Sequence, residues 1–101
     1  FGIYRHQRFC KRLSGHLSSE CPDFAALPQE MQLRETSALE RQARLHGLTI
    51  EKAVADFATA HVLSRGRMMH VGICRMIMES GDHQIDKGRK LLAEVRARMP
   101  A

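Results

Sequence analysis

Apolar residues recur at three- and four-residue spacing from position 50 to position 78, the most strongly patterned part of the chain. The first half of this pattern is a stripe formed by Ile50, Ala53, Val54, Phe57, Ala58 and His61. Such spacing places the side chains on one face of an amphipathic helix. Thr49 before the stripe and Glu51 in its first turn suit a helix N-terminus. The pattern therefore predicts a helix over residues 49–61.

A second apolar stripe follows and is formed by Met68, Met69, Gly72, Ile73, Met76 and Ile77. At about 100° per residue, its centre is rotated by roughly 90° from the centre of the first stripe. A break near Val62–Ser64 allows both stripes to face one core, with Ser64 as the cap of a second helix. Gly66 also weakens a continuous helix. We therefore predict a second helix over 64–79, and one unbroken helix over 50–78 is the alternative.

The rest of the chain divides into two further helices and an irregular N-terminal part. Helix-forming residues with apolar spacing predict helices over 29–46 and 83–99. Gly47 suits the C-cap of the first of these, and Gly81 ends the helix before the second. Residues 14–28 contain Gly, Ser and Pro at positions that are typical of a loop.

Composition favours an all-α fold. The chain of 101 residues is 44% hydrophobic, has no Trp and contains few β-branched residues. This length suits one domain. We predict a single helical domain over 1–101, a small bundle of about four helices, in which 1–28 is a basic segment and loop and 29–99 is the helical core. The apolar stripes exceed what so small a bundle buries comfortably, so we also expect a homodimer.

The balance of charge favours a polyanionic partner. The formal net charge is +5 and the sequence pI is about 9.6, which favours nucleic acid first and an acidic protein or anionic membrane surface next. Arg is far commoner than Lys, and a guanidinium suits bidentate contact with phosphate or with the edge of guanine. Double-stranded DNA is therefore the first candidate partner.

The segment 50–73 resembles a helix-turn-helix DNA-binding motif. Ala58 fits the small position of the first helix of that motif. The apolar positions around the turn are matched by Phe57, Leu63, Met68 and Val71. The segment departs from the motif at Val62, where Gly is usual, and at His61, where an apolar residue is expected. The resemblance implies a second helix that enters the major groove with its N-terminal residues on base edges.

The same resemblance implies a set of DNA-binding residues. Arg65, Arg67 and His70 reach bases in this hypothesis, while Ser64 caps the helix or contacts phosphate. Further phosphate contacts come from the basic N-terminal residues Arg5, Arg8, Lys11 and Arg12. We therefore predict a small DNA-binding protein of transcription-regulator or nucleoprotein-accessory type.

A second DNA-binding resemblance concerns residues 31–36. Together with the helix, Gly47 and the helix that follow, this run resembles a ribbon-helix-helix repressor. In that family the ribbon strand places alternate polar side chains in the major groove, and the matching positions are Gln32, Arg34 and Thr36.

The main alternative is a helical protein–protein interaction module with no nucleic-acid binding, such as an adaptor, a chaperone or a secretion-system assembly subunit. Its exposed apolar face binds a helix of another protein. A break at Val62–Ser64 with exposed Arg65 and Arg67 favours DNA binding. One unbroken helix over this segment favours the interaction module.

Enzymatic chemistry has little support, because the sequence contains no Gly-rich phosphate loop and no G-x-S-x-G elbow. Four residues of zinc-binding type follow one another at short intervals: His6, Cys10, His16 and Cys21. The usual Cys-x2-Cys knuckle is missing from this set. His70 and Cys74 are soft ligands among Met residues, but Met at helical spacing is more often core. We predict no enzyme, no metal and no cofactor.

Cysteine usage and hydropathy predict a cytoplasmic protein. The three cysteines are an odd number and suggest reduced thiols. No apolar run approaches the roughly 20 residues that span a bilayer, and no signal-peptide core is visible.

Overall fold

The computed structural model describes the backbone of residues 2–98 and the side chains of residues 8–98. Over this part of the chain it contains six α-helices, one 3₁₀ turn and no strand. The helices are α1 (Gly2–Glu20), α2 (Pro22–Ala25), α3 (Gln29–Leu45), α4 (Glu51–Leu63), α5 (Gly72–Glu79) and α6 (Gln84–Arg98). The 3₁₀ turn, Met68–His70, lies between α4 and α5. The all-α prediction is confirmed, but the expected number of about four helices was too low.

The N-terminal part is helical, which corrects the predicted loop over 14–28. The buried stripe of α1 consists of Cys10, Leu13 and Leu17. Because this stripe packs into the core, α1 continues through Gly15 despite the low helix propensity of glycine. α2 follows after a single residue, with Pro22 at its start, where a missing backbone N–H costs nothing.

α4 is the central helix and packs against α1, α3 and α6. Its predicted stripe is confirmed: Ala53, Val54, Phe57 and Ala58 are buried, and Ile50 and His61 at its ends are half-buried. Thr59 and Ala60 are buried as well, so most of the circumference of α4 is covered by its neighbours. A helix that is covered on most of its sides lies at the centre of the core.

α4 and α6 approach each other closely at Gly88. A Cβ atom at position 88 would lie 3.1 Å from Cβ of Asp56 and 3.3 Å from the carbonyl oxygen of Ala53. The absence of a side chain at Gly88 therefore allows the two helices to pack backbone against backbone. Leu91 and Val95 continue the buried side of α6, whereas Ile85 near its start is 38% exposed.

α3 is helical from its first turn, so the ribbon strand predicted by the ribbon-helix-helix resemblance over 31–36 is not formed. Thr36 is buried on α3, and its hydroxyl donates a hydrogen bond of 2.7 Å to the carbonyl oxygen of Gln32. Glu40 is also buried and forms an ion pair with Arg44 one turn later. Both polar groups are satisfied within the helix, as buried polar groups in proteins generally are.

α5 begins at Gly72, so the helix predicted over 64–79 is shorter than expected. Val71, just before it, has an extended backbone, and the phase of α5 is therefore independent of α4. As a result, two residues of the predicted second stripe face solvent instead of the core. Cys74 and Met78 face the core, whereas Ile73 and Met76 are 40% and 71% exposed.

Candidate functional site

The connection between α4 and α5, residues 64–71, begins with a Schellman motif. The backbone N–H of Gly66 donates to the carbonyl oxygen of His61 at 2.8 Å, and the N–H of Arg65 donates to that of Val62 at 3.0 Å. These two bonds satisfy carbonyl groups that a helix C-terminus otherwise leaves unpaired. α4 therefore ends at Leu63, within the predicted break at Val62–Ser64.

Ser64 is the C-cap of α4, which corrects its predicted role as the cap of a second helix. Its hydroxyl donates to the carbonyl oxygen of His61 at 3.1 Å and accepts the backbone N–H of Met68 at 3.2 Å. The residue is only 2% exposed, so its hydroxyl holds the connection together and does not face a ligand in solvent.

Arg65 occupies the left-handed region of backbone conformation, with φ of 55°. This conformation is costly for a residue that carries a Cβ atom, and glycine is the usual residue at this position of a Schellman motif. The side chain is largely exposed, and its Nη2 atom lies 3.1 Å from Oδ2 of Asp23. The connection is thereby joined to the start of α2.

Arg67 and His70 are exposed on the connection, as the DNA-binding hypothesis expects. Neither forms an ion pair with any side chain among residues 8–98. Both precede the first turn of α5, however. The recognition helix predicted to start at Ser64 is therefore absent at that place, and both residues lie on the connection before α5.

The basic residues of the N-terminal segment do not join this group. Arg5 lies in α1, but its side chain falls outside the described residues. Arg8, Lys11 and Arg12 are exposed on α1. Arg12 forms an ion pair with Glu51 at the start of α4, and the connection leaves the other end of α4. At 1.5 Å per residue, α4 separates the two groups by about 18 Å.

The exposed side of α5 carries two large apolar side chains, Ile73 and Met76, and we name it the α5 face. Ile77 at its edge is half-buried against the core. Arg75 is exposed on the same helix and, like Arg67, has no ion-pair partner among the described side chains. The sequence pattern placed both apolar residues in the core, so it missed this surface.

Ion pairs are numerous over the rest of the surface. Nine of the eleven carboxylate side chains of the chain form ion pairs with Lys or Arg side chains. Glu35 and Glu79 are the two without such a partner among the described residues. The paired cations are distributed over every long helix.

Thiol and metal chemistry find no site in the described part of the chain. Burial raises the pKa of all three cysteine thiols, Cys10, Cys21 and Cys74, which keeps them protonated and poorly nucleophilic. Of the four N-terminal residues of zinc-binding type, Cys10 and Cys21 face the core while His16 is exposed. His6 lies outside the described side chains. No group of three or more His, Cys, Asp or Glu among the described residues could hold a metal ion.

None of the described helices combines the length and the apolar character needed to cross a membrane. Comparisons with protein-family models, with curated proteins and with solved structures found no match to this chain.

Proposed function

We propose that this protein is a helical protein–protein interaction module that binds its partner through the α5 face. The main observation in support of this proposal is the exposure of Ile73 and Met76 on one side of a helix of eight residues. Single exposed apolar residues are common on protein surfaces, but neighbouring ones on one helix face are typical of binding surfaces. Met is also well suited to such surfaces, because its flexible side chain adapts to different partners.

Charge complementarity indicates the chemistry of the partner. Arg67 and Arg75 lie before and within α5 and have no carboxylate partner within the described chain. A partner that covers the α5 face with apolar side chains and brings carboxylates beside them pairs with Arg75, which lies on the same helix. An amphipathic helix with an apolar stripe and acidic flanks has this chemistry.

A second copy of the chain, as in the homodimer that the sequence suggested, is the competing occupant. The net charge of +5 opposes the approach of two copies and favours an acidic partner. The reason for expecting a dimer is also weaker, because the single chain already buries eighteen hydrophobic residues within its described part.

The proposal is tested by fluorescence anisotropy with a labelled, designed helical peptide that carries a Leu stripe and Glu flanks. We expect Met76→Asp to weaken binding at least tenfold, or about 1.4 kcal/mol, because a carboxylate then replaces the most exposed apolar contact. Leu45→Asp is the matched control, since Leu45 is 82% exposed at the end of α3 and outside the α5 face. Light scattering on the same samples reports whether the chain self-associates.

Any one of three results would contradict the proposal. The first is equal binding of the acidic peptide and of a version with Lys flanks. The others are a Leu45→Asp control that weakens binding as much as Met76→Asp does, and the absence of any peptide binding. Self-association that Met76→Asp abolishes, without peptide binding, identifies a second copy as the occupant and overturns the assignment to an acidic partner.

DNA binding is the second candidate function, and the exposed connection favours it. α4 ends at Leu63, and Arg67 and His70 beyond it are exposed with no carboxylate partner in the described structure. We propose that in this case the connection contacts the phosphate backbone. A turn without a recognition helix suits phosphate contact better than readout of base edges.

Anisotropy with a mixed duplex DNA at several salt concentrations tests this second candidate. We expect affinity to fall as salt rises and the double variant Arg65→Glu/Arg67→Glu to reduce both the affinity and the salt slope, because fewer counterions are released. Lys87→Glu on α6 is the control for the same kind of charge change elsewhere. Absence of binding at low salt excludes DNA as the partner.

A further inference from the structure

A groove of about 350 Å³ lies where α2 and α3 meet the C-terminal end of α4. Its apolar surface is formed by Phe24, Leu27 and Val62, which belong to the hydrophobic core or pack against it. This size and a mostly apolar surface are typical of sites for small organic molecules. We name this space the α2–α4 groove. No residue of α5 lines it, so it is separate from the α5 face.

The same groove is lined by four titratable side chains, those of Asp23, Glu35, His61 and Arg65. Asp23 and Arg65 form an ion pair with 3.1 Å between Oδ2 and Nη2, so their charges offset each other. Glu35 forms no ion pair with any Lys or Arg side chain in the described part of the chain. The lining therefore carries one negative charge that is not offset, and an organic cation complements it.

His61 adds a hydrogen-bonding group to this lining. Its ring is half-buried and packs against Phe57, with 6.3 Å between the ring centroids. Burial lowers the pKa of His61, so the imidazole is neutral at pH 7 and one ring nitrogen accepts hydrogen bonds. Glu35 opposes this effect on the pKa, which places its carboxylate within electrostatic range of the ring. No described residue forms a hydrogen bond with the ring nitrogens, which leaves them available to a molecule in the groove.

We propose that the α2–α4 groove binds a small organic ammonium compound that carries an apolar group. The ammonium forms an ion pair with Glu35 and donates a hydrogen bond to the neutral ring of His61. The apolar group lies against Phe24 and Leu27. The net charge of +5 opposes a cation at long range, but salt screens exposed charges beyond about 8 Å at physiological ionic strength. This site is independent of the proposed interaction through α5.

The test is a two-dimensional ¹H–¹⁵N NMR titration of the whole chain at neutral pH with 2-phenylethylamine, the uncharged 2-phenylethanol and the anion 3-phenylpropionate. We expect the amine to shift the amide signals of Phe24, Leu27, His61 and Gly66 at millimolar concentration, and to bind more tightly than the alcohol or the anion. The bound ammonium should also lower the pKa of His61 further, because a like charge disfavours the imidazolium. A pH titration of the His61 ring proton with and without the amine measures this change.

A matched pair of variants separates Glu35 from charge in general. Glu35→Gln should raise the dissociation constant of the amine about fivefold, the upper end of what an exposed ion pair contributes. Glu30→Gln is the control, because it removes a carboxylate from the same helix that is paired with Arg34 and lies outside the groove. Both carboxylates are exposed, so neither change disturbs the core.

Val62→Phe fills the groove and should raise the dissociation constant of the amine at least tenfold, or about 1.4 kcal/mol. Thermal unfolding followed by circular dichroism establishes whether this variant is folded, and the Glu35 and Glu30 pair decides the question if it is not. Absence of shifts with the amine, equal binding of the alcohol or the anion, or equal weakening by Glu35→Gln and Glu30→Gln overturns the proposal. Unchanged binding to folded Val62→Phe, or a His61 pKa that the amine does not lower, overturns the assignment to this groove.

Discussion

At the scale of single residues, Arg65 is the position where the backbone is most unusual. It is the only non-glycine residue among those described that has a positive φ, and it is followed by Gly66, which also has one. A strained residue at an exposed turn points towards a role for its side chain. The ion pair with Asp23 does not compensate for the strain by itself, since exposed ion pairs contribute little to stability.

Replacing Arg65 by glycine is therefore predicted to stabilise the fold. Arg65→Gly should raise the free energy of unfolding by about 1 kcal/mol, because glycine adopts the left-handed conformation without a Cβ clash. Arg67→Gly is the control: Arg67 has φ of −85°, so glycine there should only lower stability. Urea denaturation measures both variants, and a lower midpoint for Arg65→Gly contradicts the assignment of strain.

His61 is predicted to titrate below its ordinary pKa of 6.5. Burial disfavours the charged imidazolium and lowers the pKa of His61, while Glu35 partly opposes this effect. Glu35→Gln should therefore lower the pKa of His61 further. Glu30→Gln on the same helix should leave it unchanged, because Glu30 is exposed and paired with Arg34. An NMR titration of the His61 ring proton measures these changes, and a midpoint above 6.5 contradicts them.

The same pKa shift has a consequence for stability. Because the folded state binds the His61 proton less readily than the unfolded state does, stability is complete above pH 6.5 and falls as pH decreases towards the lower folded-state pKa. His61→Gln should flatten this part of the profile of unfolding free energy against pH. A profile of the variant as steep as that of the original chain assigns the dependence to other groups.

At the scale of helices, replacing Gly15 of α1 and replacing Gly88 of α6 should change stability in opposite directions. Gly88→Leu should lower the free energy of unfolding by about 3 kcal/mol, since the added side chain meets Asp56 and the backbone of Ala53. Gly15→Leu should raise it by roughly 0.8 kcal/mol, because Leu has the higher helix propensity and finds open space. Chemical denaturation of the pair measures both signs, and equal effects contradict the α4–α6 packing.

Sequence patterns predicted the long helices correctly where the apolar spacing and the helix-ending or helix-capping residues agree. α3 ends at Leu45 before Gly47, and α6 begins after Gly81 and Asp82, both close to prediction. The patterns failed for α1, where Gly15 and its neighbouring serines indicated a loop but Leu13 and Leu17 bury a stripe. Propensity is a weak local preference, and burial in the tertiary structure outweighs it.

The α5 face could not be predicted from spacing alone. Ile73 and Met76 recur with Met69 at helical intervals, so they matched a core stripe. Two adjacent residues with positive φ, Arg65 and Gly66, end α4, and the extended Val71 then sets a new helical phase. The ion pair between Arg65 and Asp23 joins positions that are 42 residues apart, which no local pattern indicates.

At the scale of the whole molecule, the distribution of charge bears on both candidate functions. The sequence favoured DNA on the basis of a net charge of +5, and nine of the cations form ion pairs with carboxylates among the described residues. A continuous basic surface is the usual electrostatic feature of a protein that binds duplex DNA. Arg75 lies on the helix that exposes Ile73 and Met76 and lacks a carboxylate partner among the described side chains, and the proposal of an acidic amphipathic partner rests on this arrangement.

A ¹H–¹⁵N NMR map of the chain with the acidic amphipathic peptide locates the binding surface directly. If the α5 face binds the peptide, the shifts are confined to residues 67–79 and are lost in Met76→Asp but not in Leu45→Asp. Shifts centred on α1 or α6, or shifts that persist unchanged in Met76→Asp, contradict the assignment of the α5 face as the binding surface.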